Sequence, residues 1–168
     1  AAHAGPTVIE VGLGLVVAVV VWAAWIEPRR LVLREVVVPA TAWPGTWPPL
    51  RIAVLADLHA ARPHLSAARL AAIARRLAAQ APDLVLLPGD FVSTRTPLHR
   101  PLSPDEIARA LAPLPAVAPC FAVLGNHDAE VGNRHVQAAL EGVGIGVLRN
   151  EVVGLPWGDG RVALAGLG

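Results

Sequence analysis

RIAVLADLH, residues 51–59, is the stretch on which the fold turns. An apolar run at 52–56 leads straight into Asp57-Leu58-His59, the pattern of a buried strand ending in side chains that bind metals. The pattern returns twice. DLVLLPGD at 83–90 closes on Gly89-Asp90, and FAVLGNHD at 121–128 closes on Gly125-Asn126-His127-Asp128. Carboxylate, imidazole and amide oxygen are thus delivered from three separated points of the chain, as a hydrolytic metal site requires.

The segments between these runs read as helices. Ser66 is an N-cap for residues 66–79, where Leu70, Ile73 and Leu77 recur at helical spacing. Ser103 opens a second helix, with Pro104 at the first position and Glu106 at capping-box spacing; Pro113 and Pro115 end it. Residues 133–141 form a third, closed by Gly142 or Gly144, and strands are expected at 146–148 and 161–165. Strands alternating with helices imply right-handed βαβ units and an α/β fold with a parallel or mixed sheet. Ligands in such sheets bind outside the carboxyl ends of the strands, where all three polar groups fall.

Asp57 and His59 are two apart, so at strand period both face one way. A carboxylate with an imidazole suits Mn, Fe or Zn better than Ca or Mg. Asp90 can bridge two metals and Asn126 can bind the second. His127 can stay unligated and protonate a leaving group, with Asp128 orienting it or holding it protonated. Two metals clamp a phosphate ester and activate water for in-line attack, so no Ser or Cys nucleophile is needed. Cys120 is the single cysteine, lies in an apolar strand pattern and reads as a small buried hydrophobe.

Three regions follow: a membrane anchor at 1–30, a connecting strand (31–38) and linker at 31–50, and the catalytic region at 51–168. Residues 11–26 carry no charge, and extension back to Thr7 reaches a length of about 20, enough to span a bilayer, at the cost of including Glu10. Trp22 and Trp25 stand near the end of this run, as interfacial aromatics do. Arg29, Arg30 and Arg34 follow and favour a cytoplasmic domain. A cleaved signal peptide and a buried core helix are the competing readings.

The hydrophobic share is 54% and the formal net charge +1, which argues against a general nucleic-acid binder. All fourteen cationic side chains are arginine, a mark of genome composition. Arg62 and Arg95 follow the first two motifs closely enough to contact a substrate phosphate. His64 and His99 read as solvated loop residues, His135 as a helix-surface residue, and His3 precedes the apolar segment. Trp43, Trp47 and Trp157 either meet lipid or pack under loops.

The order Asp57-x-His59, Gly89-Asp90, Gly125-Asn126-His127-Asp128 resembles the calcineurin-like metallophosphoesterase superfamily. The preceding apolar helix and Glu27-Pro28 resemble its small membrane-associated bacterial phosphodiesterases. The resemblance covers residues 51–168. It implies a four-layer α/β/β/α sandwich, incomplete here, around two divalent metal ions. It further implies that Asp57 and His59 bind the first metal, Asp90 bridges, Asn126 binds the second, and His127 assists catalysis. The family also uses a later lone histidine and a Gly-His-x-His motif, whereas no histidine follows His135. With no methionine at position 1 and an end at Gly168, the sequence reads as a piece of a longer protein, weakly active or inactive alone. The expected substrate is a phosphodiester, a lipid-linked one being suggested by the anchor. A membrane-tethered, non-catalytic scaffold or regulator is the alternative.

Overall fold

The computed structural model describes residues 7–27, 30–93 and 99–167. Expectations that rest on His3, Pro28, Arg29, Arg95 and Gly168 lie outside the described residues. The chain divides into two compact units, Ala1–Val37 and Val38–Gly168.

In the first unit, helix α1 spans Val8–Val21 and continues into a π-helical turn at Trp22–Ile26. Together they give 19 residues of mean hydropathy 2.3, none of them buried, long and apolar enough to cross a membrane. Glu10 does not interrupt this run. Its carboxylate accepts from the Thr7 backbone N–H at 2.7 Å and from the Thr7 hydroxyl at 3.0 Å, completing a capping box. The strand expected at 31–38 does not form. Its partial alternation finds no partner strand among the described residues, and Val36 is 76% exposed. Periodicity without a partner makes no ladder.

The second unit is built on a sheet of four parallel strands in the order β1 (Ile52–Val54), β3 (Leu84–Pro88), β5 (Cys120–Val123) and β6 (Gly146–Val147). The crossovers carry helices α2 (Ala67–Ala78), α3 (Pro104–Leu111), α4 (Asn126–Val131) and α5 (Asn133–Glu141). The strands are laid down in one direction across the sheet, so right-handed crossovers put the connecting helices on one face. Burial follows that rule. Val85, Leu87, Cys120, Ala122 and Val147 are buried and join one core with Leu70, Ile107, Leu111, Val136 and Leu140 of the helices. The alternate residues Ile52 and Val54 stay exposed, and Leu86, Phe121 and Val123 are half-buried.

Helix boundaries match their caps. Ser66 accepts from Arg69 N, and Ser103 with Glu106 forms a complete capping box behind Pro104. α5 ends at Glu141, followed by Gly142 and by Gly144 at φ +90°.

Two features were not anticipated. A two-stranded antiparallel ribbon, β2 (Ala61–Arg62) with β4 (Arg100–Pro101), branches from the loop after β1. A hairpin, β7 (Glu151–Trp157) with β8 (Gly160–Gly166), extends the expected strand at 161–165 back through its partner. Leu155, Trp157 and Val162 of the hairpin line a cavity with Leu50, Leu84 and Pro119, at the starts of β1, β3 and β5. Among the described residues, the expected sandwich thus has its helical layer, its parallel sheet and this hairpin.

The tryptophans of the linker pack under a loop. Trp43 and Trp47 meet edge to face at 5.5 Å, and the indole N–H groups of Trp43 and Trp157 both donate to Pro48 O. The Trp47 indole N–H donates to Asp159 in the hairpin turn. Its ring lies so close to Gly158 and Gly160 that a Cβ at either position would stand 2.6 Å from it.

Candidate metal centre

Strand order makes the site. Because β1, β3 and β5 run parallel and β3 lies between the other two, the loops after all three strands open side by side at one end of the sheet. Pairing continues past the strands: His59 N–H donates to Asp90 O at 2.9 Å, and Ala60 N–H to Phe91 O at 3.0 Å. The backbone then turns sharply. Asp57, His59 and Asp90 adopt φ of +50°, +39° and +52°, and Gly89 adopts +67°. Three non-glycine residues in the left-handed region within one loop cluster is strain of the kind concentrated at functional sites.

The result gathers His59, Asp90 and His127. One ligand atom from each lies within 4.8 Å of the others. His59 Nε2 is 3.8 Å from Asp90 Oδ2, and the two imidazoles meet edge to face at 4.9 Å. The Asp90 Oδ1 atom accepts the His127 backbone N–H at 3.1 Å, which ties the end of β3 to the start of α4. Two imidazoles and a carboxylate converging from the ends of three neighbouring strands are a donor set that fits a borderline divalent ion such as Mn, Fe or Zn.

The other expected site residues stand differently. Asp57 is exposed and outside this trio. β1 ends at Val54, and the positive φ at Asp57 and His59 breaks the period of two on which their common direction rested. Asn126 is exposed and is the first residue of α4, so the Gly-Asn-His-Asp motif is a helix start and not an open loop. His127 stands beside His59 and Asp90, with a ring nitrogen within 4.8 Å of a ligand atom of each.

Asp128 is fully buried. Its Oδ1 accepts from Phe91 N–H at 2.9 Å and Val92 N–H at 3.1 Å, and its Oδ2 from Gly125 N–H at 2.9 Å. These bonds join the loop after β3 to the first turn of α4, where the expectation was a bond to His127. The carboxylate nearest the His127 ring along the helix is Glu130, whose Oε1 lies 3.6 Å from Nδ1. The i, i+3 spacing is its signal, but it speaks only once residues 126–131 are known to be helical.

Gly89 and Gly125 allow the close approach. A Cβ at Gly89 would stand 2.8 Å from Gly125 N, and one at Gly125 would overlap the Asp90 carboxylate and stand 2.7 Å from Asp90 N. Gly125→Ala is therefore expected to push Asp90 aside, lowering stability by about 1–3 kcal/mol as an overpacked site does. Urea denaturation together with a metal titration measures both effects.

Arg62, expected near a substrate phosphate, bonds Glu106 Oε1 at 2.8 Å. The Ser103 backbone N–H, then Arg62, hold the Glu106 carboxyl below its ordinary range. The rings of His64 and His99 lie 5.5 Å apart, and exposed His135 pairs with Asp105 at 3.5 Å. Burial pushes the Cys120 thiol up to about 12, so it carries no thiolate at neutral pH and is no nucleophile.

Residues 50–162 match the family model described as calcineurin-like phosphoesterase. The chain is also similar to phosphodiesterase YaeI of Escherichia coli (strain K12), at 37% identity over 123 residues. That stretch covers 71% of this chain and 44% of the relative, so the chain spans less than half of that protein's length.

Proposed function

This chain belongs to the calcineurin-like phosphoesterase family, and we propose that it hydrolyses phosphate esters, phosphodiesters foremost, at a centre of divalent metal. The convergence of His59, Asp90 and His127 at the ends of adjacent strands carries the proposal. His59 and Asp90 hold metal, with Asp57 and Asn126 on the same rim as the further ligands of a two-metal site, and His127 beside them assists the reaction. Bound there, divalent ions supply Lewis acidity and lower the pKa of water to near neutrality.

The protein's own contribution is positional. Asp90 reaches both neighbouring loops, and Asp128 fixes the backbone that carries His127. The edge-to-face contact of His59 and His127 sets the two imidazoles against each other before substrate arrives. The named relative is a phosphodiesterase, and the reading for this chain follows that chemistry. The apolar helix Val8–Ile26 anchors the domain to a membrane, with Arg30 and Arg34 favouring its cytoplasmic side. A lipid-linked phosphodiester is then the substrate within reach.

Mn(II) titrated into the metal-free protein, followed by calorimetry and by the loss of its free-ion EPR signal, is expected to bind and to support hydrolysis of bis(p-nitrophenyl) phosphate, weakly in this chain. Absence of binding with Mn, Fe and Zn alike would reject the centre and favour a non-catalytic, tethered scaffold.

A further inference from the structure

We infer that Arg100, set across the β2–β4 ribbon from Arg62, forms with it a phosphate-binding fork, and that the substrate is a phosphodiester carrying a second phosphate group besides the scissile one. The inference rests on reading the neighbouring centre as a phosphoesterase site, and it names the substrate class of that site.

The ribbon grows from the rim of the centre. β2 begins at Ala61, two residues after His59, and its root is fixed there: Ala60 N–H donates to Phe91 O at 3.0 Å, and Leu102 N–H to Ala60 O at 2.8 Å. Arg62 stands three residues from His59, so their Cα atoms are at most about 11 Å apart. Within the ribbon, Arg62 and Arg100 are partners in register. Directly opposed residues of an antiparallel pair point to one face, with Cβ atoms about 4.5–5.5 Å apart. Two guanidinium groups of like charge therefore share a face.

Such a pairing is unfavourable unless something offsets it. Glu106 offsets half. Its Oε1 accepts from Arg62 Nη2 at 2.8 Å, and its Oε2 accepts from the Ser103 backbone N–H at 2.9 Å, within the capping box of α3. A carboxylate fixed to a helix thus holds Arg62 in place. Arg100 is exposed and makes no ion pair among the described residues. One positive charge on this face is left unbalanced, beside a guanidinium that is already oriented.

A guanidinium carries five N–H donors in a planar fork that matches phosphate oxygens two at a time. A phosphate seated between Arg62 and Arg100 removes the repulsion that the register creates. Arg62 is tied to α3 and not to the cluster of His59, Asp90 and His127. The phosphate that the fork takes is therefore a different one from the ester at the centre, and the short chain distance to His59 lets one substrate carry both.

The first test needs no metal. In metal-free protein labelled with ¹⁵N at arginine, inorganic phosphate is titrated at constant ionic strength and the Nε–H signals are followed. The Arg100 and Arg62 signals, identified by their absence from Arg100→Gln and Arg62→Gln, are expected to move and to saturate. In Arg100→Gln the response of Arg62 is expected to weaken about 5-fold at low salt, and Arg100→Lys, which keeps the charge, to restore part of it. Arg100 lies on the surface, so both of its variants keep the fold, which circular dichroism verifies. Equal movement of all arginine signals, or no saturable movement of these two, overturns the inference. With Mn(II) present, Arg100→Gln is further expected to raise KM about 5-fold, with kcat kept, for a p-nitrophenyl phosphodiester bearing a second phosphate. An equal rise in KM for bis(p-nitrophenyl) phosphate would reveal a general attraction for anions and also overturn it. Failure of Mn-dependent hydrolysis with the phosphate titration intact would reject the proposed activity and leave the anion site standing.

Discussion

Asp90→Asn removes the metal centre while leaving the fold in place: affinity for Mn(II) is expected to fall on the order of 100-fold or more, and any Mn-dependent hydrolysis with it. Outer residues that merely orient a metal ligand cost about 10–100-fold when lost, so a direct ligand should cost at least the upper end of that range. The substitution is nearly isosteric. Asn also tolerates the left-handed backbone that Asp90 adopts at φ +52°, so no strain is added. Its amide oxygen can still accept the His127 backbone N–H that now bonds Asp90 Oδ1. What disappears is the negative charge beside His59 Nε2, 3.8 Å away. Calorimetry gives the affinity and circular dichroism the fold. Unchanged Mn(II) affinity with a native spectrum would mean that Asp90 is no ligand.

Asp128→Ala, one residue beyond His127, should act on stability. The buried carboxylate satisfies the N–H groups of Phe91, Val92 and Gly125. Each buried donor left unsatisfied costs about 1–3 kcal/mol, so three together cost roughly 3–6 kcal/mol once a water relieves part of the loss. Against a typical domain stability of about 5–15 kcal/mol, that is a large share. Asp128→Asn should lose less, because one oxygen still accepts. Urea denaturation of both variants measures the difference. A loss under about 1 kcal/mol for Asp128→Ala would show that solvent replaces the carboxylate and that the loop does not depend on it.

Much of the fold was legible because local chemistry and global packing agree. Ser66, Ser103 with Pro104 and Glu106, and Gly142 mark helix ends that the structure keeps to within a residue. The apolar runs at 52–56, 84–88 and 121–124 form adjacent strands because they pair in one parallel sheet whose helix-facing side chains join the core. The strand at 31–38 failed for the opposite reason: its pattern is suitable, but no partner strand stands beside it among the described residues. The hairpin escaped notice in its first strand, since Gly154 and Pro156 interrupt the alternation that Val153, Leu155 and Trp157 otherwise keep. Six residues of helix starting at Asn126 were too short to carry a periodic signal.

The sequence by itself determined the ligand types, their attachment to strand ends and the family they resemble, because each motif is contiguous and its strand is encoded beside it. It could not determine which of those ligands meet. Strand order brings His59, Asp90 and His127 together, since β3 stands between β1 and β5. Left-handed turns at Asp57 and His59 send those side chains along directions that strand period does not give. Burial divides the work between two neighbouring carboxylates on α4, committing Asp128 to the backbone and leaving Glu130 beside the His127 ring. Backbone direction, strand adjacency and burial are properties of the folded chain as a whole, and no single segment carries them.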